Sequence, residues 1–345
     1  MSQYHVDLTL FFSMTSDYLN TFLIQSCARS KYTQNSYKQA LNCFRKYVVN
    51  VRNTSAMKFK FTDCNYDFIV DYRNWLLDNQ HYQPTTVNHR LAVLKSYIQY
   101  AANRDVSLQQ LLFYIHDVPF LREPKKERDI LSENVLSDLF RQPKNSRLGR
   151  RDVLILVLLF DTAIRVSELT KIALKDINLT ALEPYILIHG KGSKERIVTM
   201  SEKTIALLKA YIEEFHDDNE SLQTPLFYTK IKGEISGMTT RNVERIVNKY
   251  SCQVREKNKD VPDRVYPHMF RRTRATEWYR DNVDIALISK ILGHSNIETT
   301  KDHYAIPSIT QKRKASETGN ASEPNEVEQL WPDNEEEFAK ICGLV

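Results

Sequence analysis

Five cysteines are scattered over 345 residues, at Cys27, Cys43, Cys64, Cys252 and Cys342, and no two form a C-x-x-C pair. That spacing argues against a zinc ribbon, a secreted disulfide framework and a thioredoxin-type redox pair. Long apolar runs are absent as well. The longest, Val153–Phe160, has eight residues, against the ~20 that a membrane span needs. No basic stretch leads into an apolar one at the N-terminus, so no signal peptide is read there. These absences point to a reduced, intracellular chain without a membrane partner.

What is present is ordinary for a globular protein. Hydrophobic residues make up 42% and charged residues 26% of the sequence, and the length suits roughly two domains with normal cores. The charge, however, is uneven. Net charge is +5, yet residues 315–345 carry one lysine (Lys340) and eight acids, which leaves +12 on residues 1–314. A basic body with an acidic tail suits a polyanion partner, although a solvated basic surface gives the same count.

Residues 1–120 read as a helical bundle. Tyr18–Ser26, Thr33–Val49, Asp67–Asp78 and Thr85–Ala101 each space their apolar residues at helical intervals. Tyr37, Leu41, Phe44 and Val48 form one stripe, and Val87, Leu91, Leu94, Ile98 and Ala101 another. The opposite faces carry Lys38, Arg45 and Lys46 on the second helix and Arg90 and Lys95 on the fourth, interleaved with Tyr, Asn, Gln and Thr. That mixture suits phosphate contact, or plain solvated surface. Leu121–Arg128 is charged, contains Pro124 and lacks periodicity, so residues 121–128 read as a linker.

A second domain, residues 129–312, mixes structure types. A helix starts at Ser132-Glu133, and Asp152–Thr162 reads as a buried helix. Strands Tyr185–His189 and Arg196–Met200 flank a turn at Lys191–Lys194. Helices follow at Glu202–Phe215, Thr239–Ser251, His268–Asn282 and Ile285–Leu292. The fold class is therefore mainly α with a small β-hairpin or sheet. In the acidic tail, residues 313–345, Ala315–Pro324 has a disordered composition. Phe338, Ile341 and Val345 then line one helical face of Glu326–Val345.

Four separated elements of the second domain carry candidate chemistry: Thr162–Leu169, His189–Arg196, His268–Thr273, and Leu292–Ser295 with Thr299–Ala305. Each has a bland reading alone. Arg165 could pair with Glu168, and Gly190–Lys194 could be an ordinary turn; it lacks P-loop spacing and leads into a strand. Gly293 could be a helix stop, and Tyr304 a core aromatic. Together they supply two arginines, a lysine, two histidines and a tyrosine. That set can transfer a phosphodiester without metal. Arginine forks meet phosphate charge bidentately, fixed donors stabilise the transition state, and a tyrosine oxygen can attack. A lysine or histidine can protonate the leaving oxygen. Acidic clusters for paired Mg²⁺ ions do not surround these elements.

In this order and combination the motifs resemble the tyrosine recombinases, or phage integrase family, over most of the chain. R-x-S-E-L stands as Arg165–Leu169, G-K-G-x-K-x-R as Gly190–Arg196, H-x-x-R as His268–Arg271, and G-H-S followed by T-T and a tyrosine as Gly293–Tyr304. The resemblance implies that Tyr304 is the nucleophile, giving a 3′-phosphotyrosine and a 5′-hydroxyl. It implies that Arg165 and Arg271 clamp the phosphate, that Lys191 is the general acid with Lys194 as competitor, and that His268 assists proton transfer. His294 would bond a non-bridging oxygen, and Glu168 would orient its neighbours. Arg272 stands where relatives often have histidine and would add local positive charge.

The resemblance also implies a helical core-binding (SAM-like) domain and a catalytic domain closing as a C-shaped clamp on duplex DNA. Helix Thr239–Ser251 would enter the major groove, with Arg241 and Asn242 as candidate contacts. No metal, ATP or other cofactor is expected. Tetramers would form on two DNA recombination sites, with a Holliday junction intermediate. The C-terminal segment would dock either on its own domain or on a neighbour. The implied location is the cytoplasm, at the nucleoid. The expected activity is site-specific recombination, DNA integration or transposition for a mobile element. A dimer-resolving recombinase, a relaxing topoisomerase and a catalytically silent DNA-binding protein are the alternatives.

Overall fold

The computed structural model describes residues 9–123, 129–190, 194–217, 221–231, 233–294 and 296–304, with 313, 334 and 340; for 231 and 302–304 it describes the backbone alone. Lys191, most of the linker, the Ala315–Pro324 segment and the Phe338/Ile341/Val345 stripe thus lie outside the described residues. The chain divides into two compact units, Met1–Glu127 and Arg128–Val345. Among the described residues, no helix is long and apolar enough to cross a membrane.

In the first unit a single turn, α1 (Thr15–Asp17), runs into a π-wound helix, Tyr18–Ser26. There follow α2 (Lys31–Lys46), a π-wound extension Tyr47–Val51, α3 (Tyr66–Asp78), α4 (Pro84–Ala102) and α5 (Gln109–Asp117). The starts are written in the sequence. Ser30 and Asn65 side chains accept from the backbone of Thr33 and Phe68, and proline opens α4. Leu41, Phe44, Val48, Val87, Leu91, Leu94, Ile98 and Ala101 are buried, with Tyr37 packed at the edge. The centre of this core is aromatic. The Phe11 ring lies 5.1 Å from Phe44, 4.9 Å from Phe61 and 5.4 Å from Tyr97, all tilted or edge-on.

Two features differ from the sequence reading. The bundle contains a further helix, α5, whose Leu111, Leu112 and Ile115 face the core while the intervening Phe113 and Tyr114 are exposed. Lys95 does not belong to a basic outer face. It is 9% exposed, its ammonium donates to the carbonyls of His116 (3.2 Å) and Val118 (2.8 Å), and it lies 4.5 Å from the Phe120 ring centre. These carbonyls close α5, where a cation is favoured. Burial holds its pKa below the ordinary lysine value, opposed by the charge of Asp117. Lys38, Arg45 and Lys46 are exposed on α2; Arg90 is half-buried, its guanidinium 4.6 Å from the Tyr82 ring centre.

The second unit is built around α7 (Arg147–Asp161), whose Leu154, Ile155, Leu156, Leu158 and Leu159 are buried. It packs against α6 (Glu133–Arg141), α8 (Val166–Leu169), α9 (Glu202–Phe215), α10 (Thr240–Arg255) and α11 (Pro267–Arg280). A polar link crosses this core: the buried Asp152 accepts from the Tyr250 hydroxyl of α10 at 2.7 Å. β1 (Ile177–Asn178), β2 (Tyr185–His189) and β3 (Glu195–Thr199) form an antiparallel sheet in that order; its last pair is His189 opposite Glu195. β4 (Tyr228–Ile231) and β5 (Glu234–Gly237) form a separate hairpin. The chain continues through α12 (Ile285–Leu292) and α13 (Ile297–Tyr304). The second strand of the main hairpin begins one residue earlier than its apolar pattern suggests. β1, β4 and β5 are too short to show alternation.

Replacing Lys95 by alanine removes a donor from two carbonyls. The expected cost is about 1–3 kcal/mol in urea unfolding, whereas Lys38→Ala should stay within about 0.5 kcal/mol. Equal effects would contradict the structural role given to Lys95.

Candidate active site

Geometry at the sequence motifs begins where α7 stops. Ala163 takes a φ of 50°, in the left-handed region that non-glycine residues rarely enter. The reversal lets Arg165 open α8. The Arg165 backbone N–H donates to Glu168 Oε2 at 2.9 Å, and its guanidinium to Glu168 Oε1 at 2.8 Å. The Arg165 side chain remains 38% exposed, while that of Glu168 is only 6% exposed.

Glu168 has a second cationic partner. Arg196, from β3, donates to its two oxygens at 3.0 and 2.8 Å. Burial would raise the Glu168 pKa, but the hydrogen bonds and charges of Arg196 and Arg165 outweigh it and bring the value down to about 2. The carboxylate is thus ionised, and it fixes both guanidiniums. The Arg196 Nε donates to the Ile291 carbonyl at 2.8 Å, joining this network to the end of α12.

The next carbonyl of α12 holds Arg271. Its guanidinium donates to Leu292 O at 2.6 Å and Ala163 O at 2.7 Å, and one nitrogen lies 3.1 Å from His294 Nε2. Two arginines therefore cap the C-terminus of α12, where exposed carbonyls and the helix dipole favour positive charge. Gly293 makes the approach possible. Its φ is 65°, and a Cβ there would meet the Arg196 guanidinium and Cδ at 3.1–3.3 Å.

His294 follows that glycine. Arginine has only donors, so Nε2 accepts from Arg271 and Nδ1 carries the proton donated to Thr300 Oγ1 at 2.8 Å. Thr300, on α13, is buried. The T-T motif therefore orients the histidine, and α13 ends at Tyr304.

The described residues thus bring Arg165, Glu168, Arg271 and His294 into one connected network. Arg271 is wholly buried, with its two terminal nitrogens turned to carbonyls and His294. His268 is exposed near the start of α11, one turn before Arg271. Lys194 is exposed at the hairpin base. Lys191 and the Tyr304 side chain lie outside what is described. Arg272 does not add an open positive charge: it is buried and donates to the Tyr266 hydroxyl at 2.7 Å.

Arg196 is the residue the sequence reading left without a role. Its signal was the two-residue period of β3, which puts Arg196 on the same face as the buried Val198. On α10, Arg241 is exposed, and Asn242 is partly engaged at the helix start, its amide oxygen accepting from the Thr239 hydroxyl.

The Glu168 pKa gives this network a pH signature. A carboxylate depressed from 4.5 to about 2 stabilises the fold above the unfolded value, and that stability is lost as pH falls from 4.5 towards 2. Glu168→Gln should flatten this acid limb in urea unfolding and, by leaving buried guanidinium charge, cost about 3 kcal/mol at neutral pH. An unchanged acid limb would place the titration elsewhere.

Residues 129–309 match the model of the phage integrase family, and residues 11–113 that of the phage integrase SAM-like domain. A tyrosine recombinase of Agathobacter rectalis is 32% identical over 240 residues, covering 67% of this chain and 75% of that protein. The tyrosine recombinase XerC of Staphylococcus epidermidis is 30% identical over 289 residues, 83% and 90% of the two chains. In fold, the Tn1549 transposon integrase bound to transposon right end DNA matches with a TM-score of 0.66 at 16% identity, over 88% of this chain and 99% of that one. The XerH site-specific recombinase bound to difH matches with a TM-score of 0.60 at 20% identity, over 90% and 85%. With both of its parts matched by family models and relatives aligned over most of its length, the chain belongs to the phage integrase family of tyrosine recombinases.

Proposed function

We propose that this protein is a site-specific DNA recombinase serving a mobile element as integrase or transposase, and that it cuts and rejoins DNA through a 3′-phosphotyrosine at Tyr304. The observation that carries the reading is the meeting of Arg271 and His294 at the end of α12, to which Arg165 is tied through Glu168 and Arg196, immediately before the helix that ends at Tyr304. In this reading residues 1–120 form the core-binding domain, 121–128 the linker, 129–312 the catalytic domain and 313–345 a tail used in assembly.

The Tyr304 oxygen attacks the scissile phosphorus, forming one O–P bond as the bond to the 5′-oxygen breaks. His268 takes the phenolic proton, and Lys191 (or its neighbour Lys194) protonates the leaving 5′-oxygen. Arg165 reaches the phosphate from its exposed position, oriented by Glu168. Arg271 adds positive charge from behind and fixes His294. For His294 to donate from Nε2 to a non-bridging oxygen, that nitrogen must exchange the hydrogen bond it accepts from Arg271 for a proton, so the two side chains rearrange together on the phosphate. A 5′-hydroxyl from the partner strand then attacks the phosphotyrosine and restores the phosphodiester, so bond energy is conserved. Two such exchanges within a tetramer on two sites pass through a Holliday junction.

DNA contact in the catalytic domain is assigned to α10. Arg241, Arg245 and Lys249 recur at four-residue spacing and are exposed, so they form a basic stripe along one helix face. Asn242, Arg245 and Lys249 line a cleft with Lys144 and Arg151. On the first unit, Lys38, Arg45 and Lys46 supply exposed charge and Arg90 a partly covered one. Because the relatives aligned at 30–32% identity are named tyrosine recombinases, while the transposon integrase matches at 16% identity, dimer resolution by the same chemistry is the second reading. It differs in the arrangement of the two DNA sites.

Suicide substrates carrying a nick beside candidate sites from flanking DNA test the proposal. In EDTA the wild type should form a covalent protein–DNA band, and Tyr304→Phe should form none. A band retained by Tyr304→Phe would contradict the nucleophile. Specific binding without any band would favour a silent DNA-binding protein.

A further inference from the structure

A second charged cluster lies at the base of the β2–β3 hairpin and belongs to none of the motif roles assigned above. His189 ends β2 and faces Glu195, the first residue of β3, across the last pair of the ladder. Its Nδ1 lies 2.9 Å from Glu195 Oε1 and its Nε2 lies 2.9 Å from Asp176 Oδ1. Asp176 ends the 3₁₀ turn Leu174–Asp176, is buried, and is itself fixed: its other oxygen accepts from the Ala173 backbone at 2.9 Å. Asp176 from the turn and Glu195 from β3 are the charged groups facing this ring among the described residues.

Both ring nitrogens therefore point at carboxylate oxygens. A neutral imidazole has one N–H and would set a lone pair against one of the two carboxylates. The imidazolium has a proton for each. Asp176 is sheltered from solvent, so its charge is poorly screened and favours the cation.

We infer that His189, as an imidazolium, is a positioning residue for strand cleavage, pinning the hairpin base to the Leu174–Asp176 turn. Two groups of the proposed chemistry leave from that base. Lys191 follows His189 by two residues in sequence, and Arg196 follows Glu195 directly and holds Glu168. Loss of the proton leaves one of the two carboxylates without its bond and loosens the strand ends on which both depend. The hydrogen bond and charge of Asp176, partly opposed by burial and reinforced by Glu195, raise the His189 pKa above 6.5. A raised histidine value means that the clamp is complete below 6.5 and is lost as pH rises through the folded-state pKa. Cleavage should therefore slow on the alkaline side because of a residue that touches no substrate.

The inference rests on the recombinase reading, and the test separates the two. Single-turnover formation of the covalent DNA adduct is followed from about pH 6 to pH 9, the range in which histidine titrates, for wild type, His189→Gln and His189→Arg. The His189 ring proton of the full chain is titrated in parallel by NMR. Wild type should show a falling alkaline limb whose midpoint matches the His189 titration, above 6.5. His189→Gln should be slower at the acid end, by up to about a hundredfold for a misplaced group, and should lack that limb. His189→Arg, a cation throughout this range, should restore the rate and carry it to higher pH. Identical profiles in all three proteins, or a ring midpoint at or below 6.5, would overturn the inference while leaving cleavage itself intact. A wild type that forms no adduct at any pH contradicts the recombinase reading instead, and the ring titration then decides the clamp by itself.

Discussion

The catalytic unit depends on how two consecutive carbonyls at the end of α12 are satisfied. Ile291 and Leu292 end a helix that turns sharply at Gly293, and both carbonyls need donors. Arg196 and Arg271 supply them. Because the donors are arginines, the same groups that close the helix also bring positive charge to the turn bearing His294. Glu168 makes this tolerable: it is ionised, buried, and shared between Arg196 and Arg165. Remove that carboxylate and the guanidiniums repel; remove the glycine's freedom and Arg196 cannot approach.

This arrangement joins chain segments that are far apart in sequence. The break after α7, strand β3, helix α11 and the α12–α13 turn all contribute side chains or carbonyls to it. The left-handed Ala163 contributes through its carbonyl, its side chain serving only the local core. Backbone strain there is offset by the bond it offers to Arg271. Helix capping, burial of charge and the placing of His294 thus fall to the same few arginines.

Much of this was legible in sequence, for physical reasons. Apolar stripes marked the large helices because one face of each must be buried, and α9 and α12 begin and end where their patterns do. The family was legible because its motifs combine an unusual set of residue types in a fixed order. What was not legible required partners from elsewhere in the chain. Lys95 reads as surface charge until α5 presents its carbonyls. Arg272 reads as added positive charge until Tyr266 covers it. Arg196 and His189 read as strand residues beside a turn, since nothing in their own segment announces Glu168, Ile291 or Asp176. α5 escaped because the exposed Phe113 and Tyr114 run its core-facing leucines and Ile115 into one unbroken apolar stretch, which blurs the helical spacing.

The central claim, that Tyr304 makes the covalent bond to DNA, is tested most directly by mapping the adduct. Protease and nuclease digestion of trapped complex, followed by mass spectrometry, identifies the peptide and the end of the DNA attached to it. The account predicts a single modified peptide containing Tyr304, joined through a 3′-phosphate, with a 5′-hydroxyl on the released strand. Attachment at another residue, or through a 5′-phosphate, would contradict it.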